Sequence, residues 1–507
     1  MSITQADTQA TNAVGAKDTT YDHIVKYTGL FGGVQGLTML MNLVRNKIAS
    51  VLLGPEGLAL INLYNNAIRL LNEASSFGIS ISAVKRVAEL FDTGDEEQQN
   101  RFAVTLRTWC LYLALLGTFA GMALAPWLSL WTFETYEHTL AFILLAPMVG
   151  MLTLTSGELA ILKGMKQLKK VAIISVVSAA VLLLISTPLY LIWRVEGVVA
   201  SLLLCQAAIL GIHLYYSTKS IPWRAALTTK TEFGQGLSML RIGLGYVIAG
   251  IFGQGAEYII RVLILQYGSQ ADVGLYYSGY TLTVTYASMV FVAFEADYFP
   301  RLSATSSHLQ RQNQTVNQQI TVSILLMAPI LSLFVLVLPI LIPLLFSSQF
   351  TDAIPMATTA TFYMFFKSAL LAVAYLPLAR GDSKMYMLTE LFYDILIAFA
   401  VPYAFLHWGL TGTGWALSFA GLIQMLLIHL LYRYRYKYKL DRRPIQIFVI
   451  QLVLFTVAFV AANSDLLWIT WSVGPLAFLI SAALSYRFLS RETHFIQKLK
   501  DKLKKKS

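Results

Sequence analysis

Fourteen apolar segments, each of about 20 residues, follow one another from residue 27 to residue 487, and a chain built that way has few folds open to it. Inside hydrocarbon the backbone N–H and C=O groups need partners within the segment, so segments of this length cross a membrane as α-helices. The composition agrees: 13% of residues are charged and 56% are hydrophobic, where an average soluble domain has about 25% charged residues. The predicted class is an all-α integral membrane protein. An even number of spans puts both termini on one side.

The cations say which side. Of the 38 Lys and Arg residues, 31 fall in one set of connecting segments and tails, including the runs Arg433–Arg443 and Arg487–Lys506, while the opposite set of turns contributes Arg194 alone. Basic residues accumulate in cytoplasmic loops, so both termini are expected in the cytoplasm. Six cations remain inside the apolar segments: Arg45, Lys47, Arg69, Arg241, Arg261 and Lys367. A charge at bilayer depth costs a few kcal/mol or more, so these residues are expected to face water, an anion or a counter-charge.

Four of the six lie in two related hairpins. The first, within Asn42–Arg86, carries Arg45, Lys47 and Arg69 around a GPEG turn. The second carries Arg261 some 217 residues later, and Gly33, Gly36, Gly57, Pro126, Gly164 and Gly197 have counterparts at Gly250, Gly253, Gly274, Pro343, Gly381 and Gly414 at that same offset. Two homologous halves in parallel orientation follow, with a cationic site expected between them. Glu73 lies four residues after Arg69 and Glu257 four before Arg261, positions suited to i,i+4 pairing or to carrying a coupling proton. The expected division is a disordered cytoplasmic tail over 1–22, a six-helix lobe over 23–219, a linker over 220–234 and a second six-helix lobe over 235–436. Two additional helices over 437–490 and a basic cytoplasmic tail over 491–507 complete the chain.

Several function classes are excluded. The seven histidines are scattered without metal-ligand spacing, no phosphate-binding loop or nucleophile motif is present, and the outer turns are too short to house catalysis. No cofactor is expected, nor is ATP expected as the direct energy source. No signal peptide precedes the first span. Cys110 and Cys205 lie in apolar segments and read as buried free thiols. The alternating run YRYRYKYKLDRRP from Tyr432 to Pro444 directly follows a span, so it reads as an aromatic belt and cytoplasmic anchor rather than a nucleic-acid strand.

Twelve plus two spans, the LGPEGLALINLYNN turn, its echo YGSQADVGLYYSGY and the LARGDSKMYM stretch together resemble the O-antigen translocases (Wzx type) of the multidrug/oligosaccharidyl-lipid/polysaccharide exporter superfamily. The resemblance covers residues 25–435. It implies a flippase, not an enzyme, moving undecaprenyl-pyrophosphate-linked oligosaccharide from the cytoplasmic to the periplasmic leaflet of a bacterial inner membrane by alternating access. The lipid-linked substrate and membrane lipids would be its partners, with other polysaccharide-assembly proteins beside a monomeric transporter. By location and charge, Arg45, Lys47, Arg69, Arg241, Arg261 and Lys367 match the cationic cavity of such proteins. Glu73 and Glu257 are the candidates for ion coupling. A peptidoglycan lipid-precursor flippase and a drug or cation antiporter of the same superfamily are the alternatives.

Overall fold

The computed structural model describes residues 4–225, 230–306 and 308–492, with the side chains of residues 4–32, 241–246, 292–297 and a few isolated positions outside the description. In chain order the helices are α1 (Thr4–Ser76), α2 (Ile79–Thr93), α3 (Glu96–Phe133), α4 (Thr139–Leu145), α5 (Pro147–Gly164), α6 (Leu168–Trp193), α7 (Gly197–Thr218) and α8 (Lys230–Tyr267). They continue as α9 (Gln270–Tyr280), α10 (Ala287–Ala304), α11 (Leu309–Leu345), α12 (Ile354–Ala374), α13 (Leu376–Ala379), α14 (Ser383–Tyr436), α15 (Arg442–Ala462) and α16 (Leu467–Glu492). A π-helical turn, Thr281–Tyr286, joins α9 to α10. The fold is all-α, as expected. Residues 4–22, expected as a disordered tail, are helical backbone continuous with α1: no proline interrupts the stretch before Pro55. The expected basic tail falls almost wholly in residues 493–507, outside the described residues.

Among the described residues, nine helical stretches are long and apolar enough to cross a membrane. Two of them, Leu168–Thr218 and Ser383–Tyr436, contain 51 and 54 residues, more than twice the ~20 residues one crossing needs. Each folds back on itself, and by one and the same device. Arg194 (φ 50°) and Gly409 (φ 58°) break the helix. Three residues later Gly197 and Gly412 come so close to a carbonyl eight residues upstream, that of Leu189 and of Ala404, that an added Cβ would lie 2.6 and 2.4 Å from its oxygen. Residues eight apart in an unbroken helix are ~12 Å apart, so this approach requires a reversal, and any side chain there would collide with backbone. Trp193 and Trp408 stand at the same position before each glycine. The two hairpins are thus related by 215 residues, two fewer than the offset read from sequence.

Chain contacts divide the molecule into two compact units. The first comprises residues 1–52, 71–126 and 137–247. Its core joins α2, α3 and α5 through Ala83, Val87, Leu106, Cys110, Leu113 and Ile161. Gly150 and Gly157 let α5 press against the Ala114 carbonyl and the Cys110 sulfur, with an added Cβ placed 2.9 and 2.6 Å from them.

At one end of this core lies a buried ion pair. Arg107 (2% exposed) donates from Nε and Nη2 to the two carboxylate oxygens of Glu158 (3%), both at 2.9 Å. Its remaining protons reach the carbonyls of Ile221 (3.2 Å) and Pro222 (2.8 Å). The linker is therefore held by main-chain acceptors, beside a second tether in which Lys170 donates to Ser220 and Ser220 to Gln167, each at 2.8 Å. Arg107 lies on α3 and Glu158 on α5. Their separation of 51 residues hides the pairing.

The second unit comprises residues 53–70, 127–136 and 248–507. It takes in the middle of α1 and the end of α3: Thr132 shares a hydrogen bond with Tyr258, Gln266 donates to the Trp131 carbonyl (2.7 Å), and Gln270 to the Glu56 carbonyl (2.9 Å). Its centre is α12, nearly all of whose residues are buried. The two additional helices join this unit through aromatic packing. Phe455 of α15 meets Phe362 (ring centroids 4.8 Å) and Phe365 (5.5 Å) of α12, and Leu336 of α11 packs with Ala458 and Ala477. Large apolar side chains such as Phe399 (75% exposed) and Leu184 (71%) point outward, the pattern of a lipid-facing surface.

Breaking a buried pair by removing one member costs about 3–5 kcal/mol, whereas an apolar replacement of both is close to neutral. Arg107→Ala should therefore lower the melting temperature of the detergent-purified protein far more than the double variant Arg107→Met/Glu158→Leu. Equal losses would contradict the pairing.

Candidate functional site

Of the residues singled out by sequence, Arg45 and Lys47 lie on α1 in the first unit, both half-buried, with Arg45 close enough to the Cys205 thiol on α7 to interact electrostatically. Glu73, also half-buried, belongs to the same unit. The side chain of Arg241 is outside the description. Arg69, Glu257, Arg261 and Lys367 belong to the second unit. Arg69 is exposed, and among the described residues no ion pair joins it to Glu73. The other three lie in one cluster.

Four helices build that cluster, each by presenting residues one turn apart on a single face. On α8, Glu257 and Arg261 form an ion pair at 3.2 Å, and Arg261 Nη1 also donates to the Glu257 carbonyl at 2.6 Å. On α9, Tyr276 and Tyr280 stack with centroids 5.8 Å apart. A capping box fixes the start of that helix: Ser269 Oγ accepts from the Asp272 N–H (3.2 Å) while the Asp272 carboxylate accepts from the Ser269 N–H (2.9 Å). The π-helical turn follows directly after Tyr280, a feature often found at functional sites. On α12, Tyr363 and Lys367 lie together, the ammonium 5.6 Å from the Tyr363 ring and Lys367 Nζ donating to Ser288 Oγ at 3.5 Å. On α14, Glu390, Tyr393 and Asp394 complete it, with Tyr393 stacked on Tyr363 at 5.8 Å.

Electrostatic interaction links these pairs. Arg261 lies 5.9 Å from the Tyr280 ring, and Tyr280 interacts with both Glu257 and Tyr363. Glu390 interacts with Lys367, and Asp394 with Glu390 and Glu257. The local count is three carboxylates against two cations. Glu390, Asp394 and the four tyrosines are not among the site residues expected from sequence. The recurrent spacings Glu257–Arg261, Tyr276–Tyr280, Tyr363–Lys367 and Glu390–Asp394 were the available signal, because polar residues one turn apart within apolar helices must share an inward stripe.

Arg261 is 4% exposed and its Nε has no hydrogen-bond partner among the described residues, so one buried donor of a guanidinium is left open there. A phosphate or carboxylate is the natural acceptor for such a group. Among the described residues, no three His, Cys, Asp or Glu side chains converge to hold a metal ion.

Comparison with known proteins supplies the lineage. The family described as polysaccharide biosynthesis protein matches residues 31–355. The chain belongs to that family. No curated protein sequence matches it. Among solved structures, the chain resembles the lipid II flippase MurJ in an inward closed conformation (TM-score 0.68, 15% identity, 91% of this chain and 99% of that one). It also resembles an inward-facing multidrug resistance transporter of the MATE family of the MOP superfamily (0.67, 15%, 78% and 94%). A third likeness is to a MOP superfamily transporter from Pyrococcus furiosus whose binding pocket is described as having reverse polarity (0.56, 14%, 80% and 93%). The fold is therefore the one these MurJ, MATE and MOP superfamily structures share. This is a multi-pass membrane protein of polysaccharide biosynthesis with a transporter fold.

Residues that share a network show coupling energies of about 0.5–3 kcal/mol. A double-mutant cycle of Glu257→Gln and Arg261→Gln, read from thermal unfolding in detergent, should give a coupling in that range. Purely additive effects would show that the pair is not formed.

Proposed function

We propose that this chain is a flippase. It moves an undecaprenyl-pyrophosphate-linked oligosaccharide, an O-antigen or common-antigen repeat unit, from the cytoplasmic to the periplasmic leaflet of a bacterial inner membrane by alternating access. The family match over residues 31–355 carries the reading, because it spans all but one of the cations set within the apolar segments. Arg45, Lys47, Arg69, Arg241, Arg261 and Lys367 are the groups proposed to meet the pyrophosphate and glycan along a hydrated path while the polyprenyl tail stays in lipid. The unpartnered Nε of Arg261 supports that role. Glu73 and Glu257 are the proposed carriers of a coupling proton or sodium ion. The layout proposed with it is two six-helix lobes over 23–219 and 235–436, both termini in the cytoplasm, acting as a monomer.

A lipid-linked cargo is favoured over a small soluble drug. The lipid II flippase aligns with 91% of this chain and the inward-facing multidrug transporter with 78%, and in this chain α15 and α16 are packed into the second unit. The same observation makes a peptidoglycan-precursor flippase the second reading.

In a bacterial strain lacking its own O-antigen flippase, the wild-type gene should restore the surface polysaccharide ladder. Arg45→Ala and Lys367→Ala, inserted in the membrane at equal levels, should each reduce it at least about tenfold, the loss expected when a charge-assisted contact of about 1.5–3 kcal/mol is removed. Normal ladders from both variants would refute the cationic path. Rescue of a strain lacking its peptidoglycan-precursor flippase, without rescue of the ladder, would establish the second reading.

A further inference from the structure

Two stretches noted in the sequence, LARGDSKMYM and YRYRYKYK, meet at one end of the second unit and form a basic pocket apart from the cluster described above. The pocket has a volume of about 630 Å³ and is lined by Arg380, Arg435, Tyr436 and Lys437 together with Ser306 and Leu309. We propose that it is a binding site for a phosphate group, presented either by an anionic lipid headgroup or by a soluble phosphate or pyrophosphate.

The argument rests on how the cations are held. Arg435 is already matched: its Nε and Nη2 donate to the Asp382 carboxylate at 2.9 and 2.8 Å, and the Tyr436 hydroxyl donates to the same oxygen at 2.8 Å. The Tyr436 and Arg435 hydrogen bonds hold the Asp382 carboxyl below the usual carboxylate range, so it stays charged and fully engaged. Arg380 and Lys437 form an ion pair with no carboxylate among the described residues.

Arg380 is nevertheless fixed. Its Nε donates to Gln312 Oε1 at 2.9 Å, its Nη2 donates to the same oxygen, and its guanidinium lies 5.2 Å from the Tyr436 ring. Gln312 is fully buried and turns its oxygen to Arg380 at the expense of its own Nε2, which has no partner among the described residues. An arrangement that tolerates an unmatched buried donor orients a guanidinium whose charge is otherwise unanswered. Lys437 sits beside it in the left-handed region (φ 53°) at the end of α14. Two unpaired cations, one of them a planar fork, suit a phosphate's several oxygens.

The test uses the full-length protein. Isothermal titration with inorganic pyrophosphate in detergent probes the soluble source. Native mass spectrometry of protein from nanodiscs containing phosphatidylglycerol or only phosphatidylcholine probes the headgroup source. Arg380→Gln and Lys437→Gln should each weaken whichever binding is found by about tenfold, the effect of losing a charge-assisted hydrogen bond. Lys384→Gln, a nearby exposed cation outside the pocket, should change it less than about twofold. Unchanged melting temperatures confirm that the variants fold. Binding of pyrophosphate alone identifies the soluble source, and selective retention of phosphatidylglycerol the lipid source. Absence of both in the wild type, or equal weakening by Lys384→Gln, would overturn the proposal.

Discussion

A charge carried into hydrocarbon must be met by something, because leaving it unanswered costs roughly 2.5–3.5 kcal/mol even on the mildest scales. The chain answers each such cation differently. Arg107 is fully satisfied by Glu158 and two main-chain carbonyls, and so acts as a fastening for the linker. Arg261 is satisfied on one side by Glu257 and a tyrosine ring and left open at Nε. Lys367 rests on Tyr363 and Ser288 with Glu390 in electrostatic range. The gradation from closed to open partnership separates a structural arginine from the residues proposed to meet a ligand.

The tyrosines make the second arrangement workable. Tyr280, stacked on Tyr276, lies beside Arg261, and Tyr363, stacked on Tyr393, lies beside Lys367. A ring face attracts a cation without the desolvated counter-charge that a second carboxylate would bring, and the hydroxyl supplies polar edge in an otherwise apolar bundle. The capping box at Ser269 and the π-helical turn after Tyr280 set the direction of α9 within a few residues on either side of these rings.

How much of this was legible in the sequence follows from the range of each interaction. The helical class follows from runs of apolar residues and reads directly. The Glu257–Arg261 pair is local, four residues apart, and was visible as such, whereas the same spacing at Arg69 and Glu73 gives no ion pair among the described residues. The Arg107–Glu158 pair and the meeting of Tyr363 with Tyr393 depend on tertiary packing across 51 and 30 residues, for which no periodicity gives a signal. The repeat lay in between. Glycines marked it, but the offset of 217 aligned Gly197 with Gly414, whereas the chain reversal equivalent to that at Gly197 lies at Gly412.

The central proposal is that this member of the polysaccharide biosynthesis protein family moves a lipid-linked, pyrophosphate-bearing oligosaccharide past its buried cations. The most direct measurement is a flipping assay with the purified protein in proteoliposomes loaded with an undecaprenyl-pyrophosphate oligosaccharide, scored by the fraction of glycan accessible to an external glycosidase over time. The account predicts transfer well above protein-free vesicles, lost in Arg261→Gln while Arg261→Lys, which keeps the charge, retains part of it. Transfer at the protein-free rate by a folded wild-type protein, or an undiminished rate in Arg261→Gln, would contradict it.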